Sequence, residues 1–231
     1  MSLHYFSYLS QAQKALYFKL GQALGRHQIP CGAPAADINT AIKALLMDHP
    51  VLCFFEGKWG YENGSVLPHY VMPPSNMQKL QDAAASVSQK FSQEAYPRQV
   101  YEWMLQWVTY DPAAPNSQNA YGALIQRQAV CKGIAKAYQL LMAQRKIDCI
   151  LVEGTLDGRM KHVWNMIRLE GQWLHVDVTM GYPFFQQFVG AADAYGGYLK
   201  TTAEISRSHT IYHPEMLPQE RQEVTHGAHS M

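Results

Sequence analysis

The sequence carries little charge. Aspartate, glutamate, lysine and arginine make up 16% of its 231 residues, and the formal net charge is +1. Proteins that bind nucleic acid or an anionic membrane surface usually carry a clear excess of positive charge. The sequence therefore gives no electrostatic reason to expect either partner.

Long apolar runs are also missing. No stretch approaches the roughly 18 apolar residues of a membrane-spanning helix. The first residues, MSLHYFSYLSQAQKALYFKLGQAL, lack the basic start, apolar run and small-residue cleavage site of a secretory signal. We therefore expect a cytoplasmic protein with no membrane partner.

Cysteine is scarce and irregularly spaced. The four cysteines, Cys31, Cys53, Cys131 and Cys149, form no CxxC pair, and the histidines form no HExxH motif. Without these spacings a zinc site has little support, and without a secretory signal a disulfide framework has little either. We expect four reduced thiols, with no metal and no cofactor.

The order of helical and strand patterns predicts an α+β fold. Most of the predicted helices precede the predicted strands, whereas an α/β protein would alternate them. In ADINTAIKALLMDHP, Asp37 and Asn39 are both candidate N-caps. The expected helices cover about residues 8–25, 37–48, 75–93, 97–109 and 130–145; strands are expected at 51–72, as a hairpin, between 148 and 178, and at YGGYLK.

The stretch HVWNMIRLEGQWLHVDV predicts a hairpin with its turn at Glu170-Gly171. A two-residue turn pairs Leu169 with Gln172, and the two numbers of every pair then sum to 341. The same rule places His162 opposite Thr179 and Trp164 opposite Asp177.

This register assigns side chains to two faces, because neighbours along a strand point to opposite sides. We expect one face to be purely apolar core: Val163, Ile167, Leu169, Leu174, Val176 and Val178. The other face carries His162, Trp164, Met166, Trp173, His175 and Asp177. His162 and Asp177 are diagonal neighbours there, within side-chain reach of each other.

A histidine held by a carboxylate can act as a base, and Cys131 is the candidate on which it would act. Cys131 begins a predicted helix, where unpaired amides and the macrodipole favour a thiolate. Gly133 is expected to let that helix pack close to a strand. Two alternatives stay open: Cys131 and His162 are structural residues, as most buried cysteines and histidines are, or His175 is the base.

These residues resemble the transglutaminase-like superfamily, which shares a papain-like catalytic core. The resemblance covers about residues 101–180, through VYEWMLQWVTYD, AYGALIQRQAVCKGIAKAYQLLM and KIDCILVEGTLDGRMKHVWNMIRLEGQWLHVDVT. It implies that Cys131 is the nucleophile, His162 the general base and acid, and Asp177 the residue that orients His162. More loosely, the flanking stretches resemble bacterial members of the group.

Some residues depart from the family pattern, and some roles stay open. Val163 replaces the usual alanine, and Met180 replaces a tryptophan after Asp-x-Thr, which bears on the substrate more than on the three central residues. The backbone N–H of Cys131 is one expected oxyanion donor. The side-chain candidates for the oxyanion site or pocket are Tyr121, preferred, Gln126, Gln128 and Trp164.

The resemblance implies a thiol-dependent acyl-transfer enzyme acting on peptide or protein amides, with hydrolysis or deamidation favoured over transglutamination. The alternative is a catalytically silent binding or scaffold module of the same fold. We expect residues 1–95 to form a helical and hairpin elaboration that packs on the core and shapes the cleft, 96–215 to form the catalytic core, and 216–231 to fray.

Overall fold

The computed structural model describes residues 3–188 and 196–218. The N-terminal elements are α1 (His4–Ser7), α2 (Gln11–Ala23), β1 (Ile29–Pro30), α3 (Ala35–Asp48), β2 (Phe55–Glu62) and β3 (Ser65–Tyr70). Then follow α4 (Asn76–Ser88), α5 (Tyr96–Trp107), β4 (Thr109–Tyr110), a π-helical turn (Gly122–Gln126), β5 (Gln128–Ala129) and α6 (Cys131–Gln144). The last elements are β6 (Cys149–Leu156), β7 (Met160–Leu169), β8 (Gln172–Val176), a 3₁₀ turn (Val178–Gly181), α7 (Pro183–Gln186), β9 (Tyr198–Lys200), α8 (Thr202–Ile205), β10 (His209–Ile211) and a 3₁₀ turn (Pro214–Met216).

The N-terminal region builds a hydrophobic core of its own. Helices α2 and α3 pack together and cover the β2–β3 hairpin, whose turn residues Asn63 and Gly64 have φ values of 48° and 74°. Positive φ at both central positions is typical of the tight hairpin turn that Asn-Gly favours. Buried members of this core include Tyr17, Leu20, Ile38, Leu45, Phe55 and Val66.

The start of α3 differs from the prediction. The helix begins at Ala35 after Pro34, with no side chain capping it, and Asp37 lies inside its first turn. Asn39 lies further along the helix, where its side-chain oxygen accepts a hydrogen bond from Trp59 Nε1 at 2.9 Å. The helix starts early because proline fixes its own φ near the helical value and can precede a helix without a polar cap.

The larger core lies between helices α4, α5 and α6 and an antiparallel sheet with strand order β10-β6-β7-β8-β9. Helix α5 starts at Tyr96 with Pro97 in its first turn, where the missing proline N–H costs nothing. Tyr101, Met104 and Tyr138 are among its fully buried side chains. The predicted α+β class, with a cysteine-led helix packed on an antiparallel sheet, is confirmed.

The predicted register of the β7–β8 hairpin is confirmed for the pairs from Leu169↔Gln172 to Asn165↔Val176. Beyond them the ladder stops, because β8 ends at Val176 and the N–H of Asp177 bonds to Gly197 O at 2.6 Å. The predicted pairs Trp164–Asp177 and His162–Thr179 are therefore wrong. The chain turns into the 3₁₀ segment there.

The face expected to be purely apolar contains one amide. Asn165 alternates with Val163 and Ile167, is buried, and donates to Ala135 O at 3.0 Å and to Ile150 O at 3.3 Å. Both acceptors are main-chain oxygens, so the amide ties β7 to α6 and to β6. A buried amide is tolerated because it is hydrogen-bonded.

Polar contacts join the N-terminal region to the larger core. Gln139 Nε2 on α6 donates to Met47 O at 3.0 Å, and Asn119 Nδ2 donates to Glu56 Oε1 at 3.0 Å. Of the proposed end segment 216–231, residues 219–231 lie outside the described residues. Among the described helices, none has the length and apolar character needed to cross a bilayer.

Candidate active site

Cys131 is the first residue of α6 and lines a cleft of about 520 Å³. Val130 precedes it in extended conformation, and no side chain of the described residues caps the helix. The first amides of α6 therefore point out of the helix without intrahelical partners. A sulfur or oxygen anion at this position is stabilised by those amides and by the helix macrodipole.

His162, Asp177 and His209 form a buried hydrogen-bonded cluster next to the cleft. His162 Nε2 lies 2.6 Å from Asp177 Oδ2, and His209 Nε2 lies 3.0 Å from the same oxygen. The other oxygen, Asp177 Oδ1, accepts the N–H of Thr179 at 3.0 Å. His209 was not found from the sequence, since it lies on the short strand β10, far along the chain from the hairpin.

The hydrogen bonds assign the protons of this cluster. Asp177 is a carboxylate, so both ring nitrogens facing it carry hydrogen. Ser208 Oγ lies 2.9 Å from His209 Nδ1, on the side of the ring away from Asp177. The carboxylate is thus held by three donors, two of them imidazole rings.

The cluster shifts the pKa of both central groups. Burial alone lowers the pKa of His162, but the Asp177 carboxylate and the nearby Cys131 side chain outweigh it and raise this pKa to about 10. Burial raises the pKa of Asp177, but His162 and His209 outweigh it and hold this pKa well below its usual range. At neutral pH the histidine is therefore a cation and the aspartate an anion.

The second nitrogen of His162 faces Cys131. His162 Nδ1 is buried and has no hydrogen-bond partner of ordinary geometry among the residues that the structure describes. Since Nε2 is bonded to Asp177 and Cys131 contributes to the pKa of the ring, Nδ1 is the nitrogen directed toward the sulfur. The arrangement places an imidazolium N–H beside the thiol without a closed hydrogen bond.

Tyr110 and Gln118 are among the further residues that line the cleft. Tyr110 ends β4, which pairs in parallel with β5 just before Cys131. Tyr110 lies beside Cys131, and burial together with the neighbouring Cys131 raises the pKa of Tyr110 to about 12. Strands β4 and β5 have two residues each, too few for a sequence pattern to predict them.

Gly133 allows a loop to approach the start of α6. A side chain at this position would collide with the carbonyl oxygen of Ser117 and press on Asn119 O at 3.0 Å. The loop in contact carries Gln118 into the cleft. The strand that Gly133 approaches is the short β5, through Ala129, and not a strand of the main sheet.

The predicted oxyanion and pocket candidates lie elsewhere. Tyr121 packs against the larger core, Gln126 accepts from Asn116 Nδ2 at 3.1 Å on the surface, and Gln128 donates to Asp111 Oδ2 at 3.3 Å. Trp164 is fully buried behind His162, with the two rings stacked at a centroid distance of 6.0 Å. Tyr110 and Gln118 line the cleft, and the four candidates are absent from its lining.

His175, the alternative base, is engaged at both ring nitrogens. Its Nδ1 accepts from Trp164 Nε1 at 2.9 Å, and its Nε2 lies 3.1 Å from Thr202 Oγ1. Burial and the neighbouring His209 lower the pKa of His175 to about 3, despite the Asp177 charge. His175 is therefore a neutral structural residue that holds Trp164 in place.

The same cluster supplies the ligand atoms that a metal would need. One atom each of His162, Asp177 and His209 lies within 4.8 Å of the others. In both imidazoles, however, the nitrogen that faces Asp177 carries the proton of a hydrogen bond, so its lone pair is not free to coordinate. The donor set fits a hydrogen-bonded cluster better than a metal centre.

Comparison with known proteins agrees with the expected resemblance. Residues 81–178 match the model of the Transglutaminase-like superfamily. This segment contains α5, Cys131, the strand that carries His162, and Asp177 directly after β8. The identification of a transglutaminase-like core is confirmed. No curated protein matches the chain.

Two solved structures are similar over part of their length. One is the crystal structure of "a Putative Cysteine Protease from Cytophaga hutchinsonii", with 23% identity and a TM-score of 0.38 over 44% of this chain and 37% of that one. The other is a TGase, with 17% identity and a TM-score of 0.35 over 44% of this chain and 30% of that one. The matched part thus amounts to 37% of the length of the first structure and 30% of the second.

Proposed function

We propose that the protein, which carries the transglutaminase-like core at residues 81–178, is a thiol-dependent acyl-transfer enzyme acting on peptide or protein amides. Cys131 is the nucleophile, His162 the general acid and base, and Asp177 the residue that orients His162. The observation that carries the proposal is the position of His162, bonded through Nε2 to Asp177 at 2.6 Å and directed through Nδ1 at the cysteine that begins α6.

The reaction proceeds in two steps. The Cys131 thiolate attacks the amide carbonyl carbon and the C=O electron pair moves to oxygen. The tetrahedral intermediate collapses, the C–N bond breaks, and His162 Nδ1 gives its proton to the leaving amine. Water or a second amine then attacks the thioester, loses a proton to His162, and releases the acyl product and the Cys131 thiolate.

Asp177 contributes by keeping His162 correctly oriented and protonated. Because its Oδ2 accepts from Nε2, the ring cannot rotate its Nδ1 away from the sulfur. Buried charge-assisted hydrogen bonds of this kind are stronger than neutral ones. Trp164, stacked on the ring, fixes its plane from the other side.

The best-placed hydrogen-bond donors to the oxyanion are the amide N–H of Cys131 and the hydroxyl of Tyr110. Both groups line the cleft at the start of α6, where a carbonyl oxygen bound next to the Cys131 sulfur would lie. Preorganised donors directed at the developing charge are typically the largest catalytic contribution. Gln118 lines the same cleft and is a further donor.

The acceptor of the acyl group is assigned to water, which gives a peptidase or deamidase. Hydrolysis needs no second amine site, and the cleft carries a single thiol. A mixture of proteolytic peptides incubated with wild type and with Cys131→Ala, followed by mass spectrometry, tests this assignment. Shortened or deamidated peptides that depend on Cys131 support it, whereas cross-linked peptides would assign a transglutaminase.

The alternative function is a catalytically silent binding module. Met180, the main departure from the family pattern, is fully buried against Leu156 and Phe185, and Phe185 in turn contacts His162. A pocket wall altered in this way is compatible with lost turnover. Peptide mixtures left unchanged by wild type, together with retained peptide binding, would favour this alternative.

Tyr110→Phe should lower kcat about a hundredfold with little effect on KM. The hydroxyl meets the carbonyl oxygen only as charge develops on it, and removing one such donor typically costs a factor of 10² to 10³. Steady-state kinetics on a peptide identified as above measures the effect. Tyr121→Phe is the discriminating variant: a loss there, with Tyr110→Phe unaffected, would restore the assignment first made from sequence.

His209→Phe should lower kcat about tenfold, because Asp177 loses one of its three donors. A hydrogen bond to a charged group contributes about 1.5–3 kcal/mol. His209→Gln keeps an N–H donor and should recover part of the loss. A purely structural role for His209 predicts instead that both variants lower the melting temperature while kcat per folded molecule stays unchanged.

A further inference from the structure

A second cavity lies beside the cleft, between the N-terminal helices and the edge of the main sheet. Its volume is about 490 Å³, inside the range of about 300–1,000 Å³ typical of small-molecule sites. Its lining is mostly apolar and includes Leu9, Ala44, Met47, Val152, Ile211 and Leu217. An apolar, concave site between two packed regions is a common place for a ligand.

The walls of this cavity are held in place by polar contacts. Asp48 accepts the N–H groups of Tyr5 and Phe6, both at 2.9 Å, which fixes α1 against the end of α3. The Tyr5 hydroxyl donates to Leu151 O on β6, and His4 Nε2 lies 2.7 Å from Met216 O. The cavity is therefore preformed, and filling it costs little conformational entropy.

The cavity adjoins the cleft that holds Cys131. Lys43 and Glu153 line both spaces and form an ion pair at 2.7 Å between them. The Lys43 side chain is 55% exposed, and ion pairs of this kind contribute little to stability. The partition between the two spaces is thus a pair of long side chains that a ligand can displace.

We infer that this cavity is a specificity subsite of the proposed enzyme, and that it takes a bulky apolar side chain of the peptide substrate near the reacting amide. The inference rests on the proposed function. A substrate seated with its carbonyl at Cys131 extends past Lys43 and Glu153 into the cavity. An apolar side chain there leaves water for an apolar lining, whereas a charged one would lose its hydration.

Peptidyl chloromethyl ketones that alkylate the thiol test the inference. The parent has three alanines, and in each of three analogues leucine replaces one of them. At one position leucine should raise the second-order rate constant for alkylation of Cys131 about tenfold or more, as filling an apolar pocket does. Iodoacetamide, too small to reach the cavity, is measured in parallel to report the reactivity of Cys131 itself.

Thr40→Trp is the variant that should block the cavity. Thr40 is exposed on α3 and lines the cavity, so an indole there fills the space without entering the buried core. In Thr40→Trp the rate constant for the preferred leucine analogue should fall to near that of the alanine parent. Ala36→Trp, exposed one turn earlier on the same helix and outside the lining, is the matched control and should keep the preference.

Occupancy is measured separately by NMR of ¹³C-methyl methionine, because Met47 and Met216 both line the cavity. N-acetyl-leucinamide should shift these two methyl signals in wild type and not in Thr40→Trp. Normal iodoacetamide labelling without any leucine preference would overturn the inference and leave the proposed function standing. Absence of fast labelling of Cys131 would overturn the proposed function, and the subsite with it, whatever the methyl signals show.

Discussion

Asp177→Asn lowers the rate of acyl transfer by about 10⁴ while the fold stays intact. The neutral amide no longer attracts the imidazolium. Its NH₂ group is a hydrogen-bond donor, so it cannot accept the hydrogen bonds that the ring N–H groups donate to the carboxylate. A loss of about this size accompanies the same change in a serine-protease triad. Single-turnover kinetics on a peptide substrate, with circular dichroism as the check on folding, measures the effect.

The pH dependence of the same variant gives a second readout. In wild type the pKa of His162 is raised to about 10, chiefly by Asp177 and against the effect of burial. The rate of acyl transfer should therefore stay constant above neutral pH and fall as the pH rises through about 10. At that pH His162 loses the proton that the leaving amine needs. In Asp177→Asn this fall should move to lower pH. An unchanged rate and an unchanged alkaline limb would remove Asp177 from the mechanism.

His162→Ala should abolish measurable turnover, with a loss on the order of 10⁶, as removal of the histidine does in a serine protease. Among the described residues that line the cleft, His162 is the one that Asp177 holds in place beside the thiol. His175→Gln is the matched control, because Gln can still accept from Trp164. It should lower the melting temperature and keep turnover. The reverse outcome, with His175→Gln inactive and His162→Ala active, would make His175 the base.

The register that brings His162 near Asp177 could be predicted from the sequence because it depends on local chemistry. A two-residue turn at Glu170-Gly171 fixes the pairing of the two strands, and both residues do adopt positive φ, 51° and 85°. The end of the ladder could not be predicted, since it depends on the hydrogen bond from Asp177 N–H to Gly197 O. Asp177 still reaches His162, because the turn out of β8 directs its side chain inward.

The residues that contact Cys131, His162 and Asp177 from distant parts of the chain could not be predicted from the sequence. His209 and Tyr110 reach the site through strands of three and two residues, which pair with distant segments and carry no periodic pattern. The oxyanion candidates were chosen for closeness to Cys131 in sequence. The turn at residues 115–118 and the π-helical turn after it place Tyr121 against the larger core and Gln118 in the cleft.

The packing of the N-terminal region could also be predicted only in part from the sequence. Its aromatic residues, among them Phe54, Phe55 and Tyr70, belong to the elaboration that is expected to pack on the catalytic core. They pack chiefly against α2 and α3 instead. Helix α4, assigned to the elaboration by the boundary at residue 95, packs on α6 in the larger core. We propose that residues up to about 72 are the elaboration, and that they reach the cleft through Lys43.

Site-resolved alkylation tests the central claim most directly, because it asks whether one thiol of four is activated. Burial raises the pKa of Cys31, raises that of Cys53 to about 11 and raises that of Cys149 well above its usual range. At neutral pH iodoacetamide should therefore modify Cys131 on the order of tenfold faster or more than the other three, and His162→Ala should remove this advantage. Four cysteines that react at similar slow rates, or a fast Cys131 that is indifferent to His162, would contradict the account.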